Sequence, residues 1–120
     1  MKRLSSLLAF LVVLWLPAAA SAENQGKVLY DQLCASCHGP EGRGDGEIEH
    51  EVLLRPRPFN ADTYKFDTDA DWRRGTDTDL GNVIRNSPRA YAGSAIMPGS
   101  SHLSDVEIAA LVTYVRSLER

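Results

Sequence analysis

The chain is short of sulfur. Its 120 residues hold two cysteines and two methionines, and both cysteines fall in one stretch, Cys34-Ala35-Ser36-Cys37-His38. A structural zinc site needs four ligands, and the other two histidines, His50 and His102, lack the paired spacing that would complete one. A structural disulfide across so short a loop would be unusual, and a thioredoxin-like redox pair wants a βαβ setting. Strand signals are essentially absent, and there is no internal repeat. The glycine-rich segment Gly39-Pro40-Glu41-Gly42-Arg43-Gly44-Asp45-Gly46 lacks the Lys-Ser/Thr ending of a phosphate-binding loop. Basic charge is also short, with 13 Lys and Arg against 16 Asp and Glu and a formal net charge of −3, which argues against a nucleic-acid partner.

What is present is a Cys-x-x-Cys-His motif, the attachment site of a c-type haem. Two thiols three positions apart on a helical turn point the same way, so both can form thioethers with the vinyl groups of one porphyrin. The following histidine, His38, is carried under the iron, where its imidazole can serve as an axial ligand. Cys34 and Cys37 are thus the expected covalent anchors and His38 the expected proximal ligand of a single haem c.

The first 22 residues bear on compartment. Lys2 and Arg3 form a positive start, Leu7 to Leu16 is an unbroken apolar run, and Ala20-Ser21-Ala22 has the form of a signal peptidase site. Residues 1–22 are therefore expected to be a cleaved secretory signal and residues 23–120 one small domain delivered to the periplasm. The competing reading is an uncleaved anchor facing the periplasm, since Leu4 to Ala22 is nearly long enough to span a bilayer; Pro17 and the alanine-serine tail oppose it. Loss of Lys2 and Arg3 would leave 11 basic against 16 acidic residues, a net of −5, suited to steering toward a basic docking patch. So small a domain buries little core, and a large apolar cofactor would supply much of its interior.

The pattern predicts an all-α fold. Ser104-Asp105-Val106-Glu107 is a capping box, and Ile108, Leu111, Val112, Val115 and Leu118 recur at helical spacing, so a helix is expected from about Asp105 to Leu118. An N-terminal helix is expected from an Asn24 cap to about Ala35, with Gly26, Tyr30, Leu33, Cys34 and Cys37 on one side. Glycine in a helix costs roughly 1 kcal/mol against alanine, so Gly26 calls for a close helix crossing. A third helix is expected from about Asp79 to Asn86, capped by Thr78 or Asp77, with Leu80, Val83 and Ile84 inward. The two prolines of Leu54-Arg55-Pro56-Arg57-Pro58-Phe59 make that stretch extended.

Together these residues resemble the class I cytochrome c family, in its small bacterial periplasmic form. Gly26, Tyr30 and Cys34 match the glycine, aromatic and first haem cysteine of its N-terminal helix. Leu111 and Tyr114 match the pair through which its C-terminal helix crosses the first, and Met97-Pro98 matches its distal Met-Pro step. The resemblance covers the whole chain after residue 22. It implies three to four short helices and loops wrapped around one covalent haem c, with the N- and C-terminal helices crossing.

The resemblance also implies Met97 as second axial ligand; Met1 would leave with the signal, and His102 and His50 are the competing residues. A loop Pro88 to Ile96 somewhat longer than the family's usual approach carries Met97. The carbonyl of Pro56 or Pro58 is expected to hold the second nitrogen of His38. Trp72 and Arg73, with Arg57, Arg74 and Tyr64, are expected to meet the propionates, and Phe59, Phe66, Leu80, Ile84 and Ile96 to form the haem wall. Asp67-Thr68-Asp69-Ala70-Asp71 resembles the start of a calcium loop, but Trp72 replaces the needed glycine and Thr78 the closing glutamate. The function implied is not catalytic: one electron carried on a His/Met-ligated haem between redox partners, among them membrane oxidase or reductase complexes. The alternatives are a haem-based small-molecule binding or sensor module, and the cytochrome subunit of a larger oxidoreductase complex. No distal acid or base suggests a peroxidase.

Overall fold

Helical periodicity produces an N-terminal and a C-terminal helix that pack on each other, and among the described residues the segments between them are loop and short helix. A computed structural model describes residues 18–48 and 55–120; the expected signal run up to Pro17, His50 and Leu54 lie outside the described residues. In chain order the α-helices are α1 (Ala18–Leu33), α2 (Ala35–His38), α3 (Asp77–Asn86) and α4 (Asp105–Ser117), with 3₁₀ turns at Ala61–Thr63 and Pro88–Tyr91. No strand occurs among the described residues, as the absent alternation predicts. Nor is any described helix long and apolar enough to cross a membrane.

The C-terminal helix begins where its capping box places it. The Ser104 side chain accepts the Glu107 N–H, and the Glu107 carboxylate accepts the Ser104 N–H at 2.8 Å. Ile108, Leu111, Val112 and Val115 are buried on one face, as their spacing requires. Beside them, Ala110 and Tyr114 of α4 meet α1 at Gly26. A β-carbon there would overlap the Ala110 carbonyl and stand 2.9 Å from Tyr114 Cβ, so only glycine permits the approach. Four residues on, Tyr30 is fully buried with its ring 5.2 Å from that of Tyr114.

Two expectations need correction at α1. The helix does not start at an Asn24 cap; it is already formed at Ala18, and Asn24 is an exposed position inside it. Alanine is the strongest helix former, so Ala18 to Ala22 propagate the helix upstream of the polar residues that looked like a cap. Leu33 is 41% exposed and does not share the buried side of Gly26 and Tyr30.

Helix α3 starts earlier than expected. Its cap is Thr76, and the residue three positions on is Asp79, so the first turn is a reciprocal capping box. Asp79 is the one buried charged side chain among the described residues, 1% exposed. Its Oδ1 accepts Thr68 N–H and Thr68 Oγ1–H at 2.5 and 2.7 Å, and its Oδ2 accepts Thr76 N–H and Thr76 Oγ1–H at 2.9 and 2.8 Å. Burial alone would raise this carboxyl, but the four donors outweigh it and hold the group down at about 2.

Candidate functional site

The cysteine motif begins where α1 ends. Cys34 N–H still bonds the Tyr30 carbonyl at 2.8 Å, and His38 N–H bonds the Cys34 carbonyl at 2.9 Å, so α2 is one further turn carrying Ala35 to His38. Gly39, at φ 81°, stops it in a conformation that side chains disfavour. Tyr30 Oη donates to the Gly39 carbonyl at 2.6 Å, which ties the end of the motif to the helix crossing. The interior of the fold thereby sets where His38 stands.

The glycine-rich loop folds back over the motif. Gly44 N–H reaches the His38 carbonyl at 2.8 Å, Gly46 N–H the Cys37 carbonyl at 3.2 Å and Ile48 N–H the Ser36 carbonyl at 3.1 Å. At Gly46 a β-carbon would collide with the Ser36 backbone, which explains a glycine there without any phosphate ligand. Phe59 N–H then bonds the Gly42 carbonyl at 3.0 Å and lays the Phe59 ring against His38, centroids 4.9 Å apart and planes 19° from parallel.

A cavity of about 410 Å³ opens in front of this motif. Cys34 and His38 line it from one side and Met97 also lines it, brought there by the loop after α3. Its apolar walls include Phe59, Phe66, Leu80, Val83, Ile84, Leu111 and Val115. Phe59, Phe66, Leu80 and Ile84 are the expected wall residues; Leu111 and Val115, expected on the packing face of α4, join them. Ile96 is 47% exposed and is not part of the wall.

No disulfide joins Cys34 and Cys37. Burial, then the neighbouring Cys37, pushes the Cys34 thiol up to about 11, the opposite of the lowered value that a reactive redox dithiol needs. Burial pushes His38 down, which favours the neutral imidazole that binds metal. His38 Nδ1 is buried with no hydrogen-bond partner. The carbonyl of Pro56 or Pro58 was expected to satisfy it, and neither does; Pro58 lines the cavity and the Phe59 ring covers the imidazole instead.

The expected polar rim divides. Arg57 and Tyr64 line the cavity, joined by Lys65. Trp72 is 93% exposed and Arg73 is exposed and paired with Asp71 at 2.7 Å, so neither belongs to the cavity wall. The reason is local: Asp67 accepts the N–H groups of Asp71 and Trp72 at 3.1 and 3.0 Å, and Trp72 has φ 67°, which turns this segment outward. Arg74 is likewise outside the cavity, and His102 is exposed. Tyr64 Oη donates to Glu119 at 2.8 Å, and Arg116 binds Glu119, Asp77 and the Gly75 carbonyl, so the chain end braces the cavity rim. Sequence reading missed this brace and Asp79, although Thr76-x-x-Asp79 has the capping-box form that would have located Asp79 at a helix start.

The residues fit a haem c. Cys34, the His38 imidazole and the Met97 thioether line one apolar cavity, and Cys37 stands on the same helical turn as His38.

Comparison with known proteins agrees. A family model for cytochrome c matches residues 23–119. The cbb3-type cytochrome c oxidase subunit CcoP of Azospirillum brasilense is 30% identical over 100 residues, which cover 82% of this chain and 29% of that protein. Among solved structures, a chain of the Kuenenia stuttgartiensis reducing HAO-like protein complex Kustc0457/Kustc0458 superposes with a TM-score of 0.63 at 32% identity, over 79% of this chain and 41% of that one. The chain thus spans less than half the length of either relative.

Proposed function

Because the chain belongs to the cytochrome c family, we propose that it is a periplasmic carrier of single electrons whose one haem is held by Cys34 and Cys37 and ligated by His38 and Met97. The observation that carries this reading is that Met97, far from the motif in sequence, lines the same cavity as Cys34 and His38. When bound, the haem supplies a one-electron Fe(II)/Fe(III) couple.

The chain's own residues make that couple useful. Neutral His38 on one side and the Met97 thioether on the other would be retained in both oxidation states, so little rearranges on electron transfer. A thioether donates weakly and favours the ferrous state, which raises the potential relative to two imidazoles. Phe66, Leu80, Val83 and Ile84 give the cavity an apolar wall, which acts in the same direction. Arg57, Lys65 and Tyr64 at its rim are the donors available to propionates.

The partners are redox proteins that present a basic docking surface, since the chain is acidic. CcoP is an oxidase subunit by name, which favours a second reading in which this domain serves as the cytochrome subunit of a larger complex. Size exclusion of the native extract separates the two: a free carrier elutes alone, a subunit with its complex. Carbon monoxide added to the reduced protein tests the closed site. A carrier with Met97 bound takes it up slowly and incompletely; immediate stoichiometric binding would instead indicate a sensor or small-molecule module.

A further inference from the structure

Ser87 follows α3 at φ 69° and ψ 148°, close to a region of backbone space that is essentially reserved for glycine. Such strain persists only where the surroundings enforce it. Here the side chain is engaged twice. Its Oγ donates to the Met97 carbonyl at 2.8 Å and accepts the Arg89 N–H at 3.2 Å. Around it the segment between α3 and Met97 is closed on itself: Gly93 N–H bonds the Pro88 carbonyl at 2.8 Å and Asn86 Nδ2 donates to Tyr91 Oη at 2.8 Å. Beyond Met97, Ser100 N–H bonds the Ile84 carbonyl at 2.8 Å, so the methionine is bracketed by ties to the last turn of α3.

We propose that Ser87 is a positioning residue for Met97, its hydroxyl latching the Met97 carbonyl so that the thioether stays turned into the cavity. This rests on the reading of Met97 as the second axial ligand. A glycine would adopt the same backbone without strain but would have no hydroxyl, so the strained serine is explained by the latch rather than by the turn. The loop carrying Met97 has a closed state and an open one, and an added ligand reaches the sixth position only in the open state. Its apparent affinity therefore scales with the open fraction. Losing one hydrogen bond that exists only in the closed state raises that fraction about fivefold.

The test is imidazole titration of the ferric holoprotein, followed by loss of the weak sulfur-to-iron charge-transfer band, in the parent, Ser87→Ala and Ser87→Gly, with thermal midpoints measured in parallel. Half-displacement is expected at about fivefold lower imidazole in both variants, while Ser87→Gly, relieved of strain, melts no lower than the parent. Half-displacement within twofold of the parent in both variants, or an effect confined to Ser87→Ala, overturns the latch. A parent that lacks the band altogether refutes Met97 ligation itself, and the latch with it.

Discussion

Asp79 shows how a single residue can anchor a cavity wall. A carboxylate held at about 2 against an unfolded value near 3.9 contributes about 2–3 kcal/mol of stability that is present above about pH 4 to 5. The folded pKa is the lower one, so this contribution is lost as pH falls from about 4 to 2. Acid titration of the holoprotein, followed by circular dichroism, is expected to show that loss in the parent. It should be absent in Asp79→Asn, which itself costs about 2 kcal/mol at neutral pH by leaving threonine donors unsatisfied. At this scale the sequence was legible where spacing fixes geometry, as in the single turn that carries Ala35 to His38, and illegible where burial decides. Nothing in the order of letters says that Asp79 is enclosed while Trp72 stands in solvent. Arg73 was read as a propionate partner because arginine suits one, yet Asp71, two residues away, captures it at no cost in chain closure.

The helices were legible because their signals are local. The Ser104 and Glu107 box begins α4 where predicted, and Ser104→Ala is expected to lower stability by about 1 kcal/mol in denaturant unfolding. Helix α3 was misjudged by two residues because three candidate caps, Thr76, Asp77 and Thr78, stand in a row, and only the reciprocal bonding of Thr76 with Asp79 separates them. Gly26 is the element-scale residue with the clearest consequence. Its replacement by alanine gains helix propensity but drives a β-carbon into the Ala110 carbonyl of α4, a backbone atom that cannot turn aside. Gly26→Ala should therefore destabilise the protein by about 1–3 kcal/mol despite the better helix former, and the thermal midpoint checks the sign. Loops were the least legible elements. The fold-back of Gly39 to Gly46 over the motif and the positive φ of Ser87 and Ala92 depend on what each segment meets.

At the scale of the whole molecule, two crossed helices make the core, and the loops between them enclose an apolar space of about 410 Å³ rather than a second core. A domain of this size cannot hold such a space open cheaply, so the fold depends on the group that fills it. Replacing both Cys34 and Cys37 by serine is expected to leave a chain with reduced helical dichroism and a broadened, lower thermal transition; an unchanged transition would mean that the α1–α4 core suffices. The central claim is that His38 and Met97, which line one cavity, would be the two protein ligands of a haem iron held there, and redox titration of the parent and Met97→Ala, monitored in the visible and near infrared, tests it most directly. The account predicts a ferric sulfur-to-iron charge-transfer band in the parent, lost in the variant together with a fall in reduction potential. An identical spectrum and potential in the two proteins would contradict it.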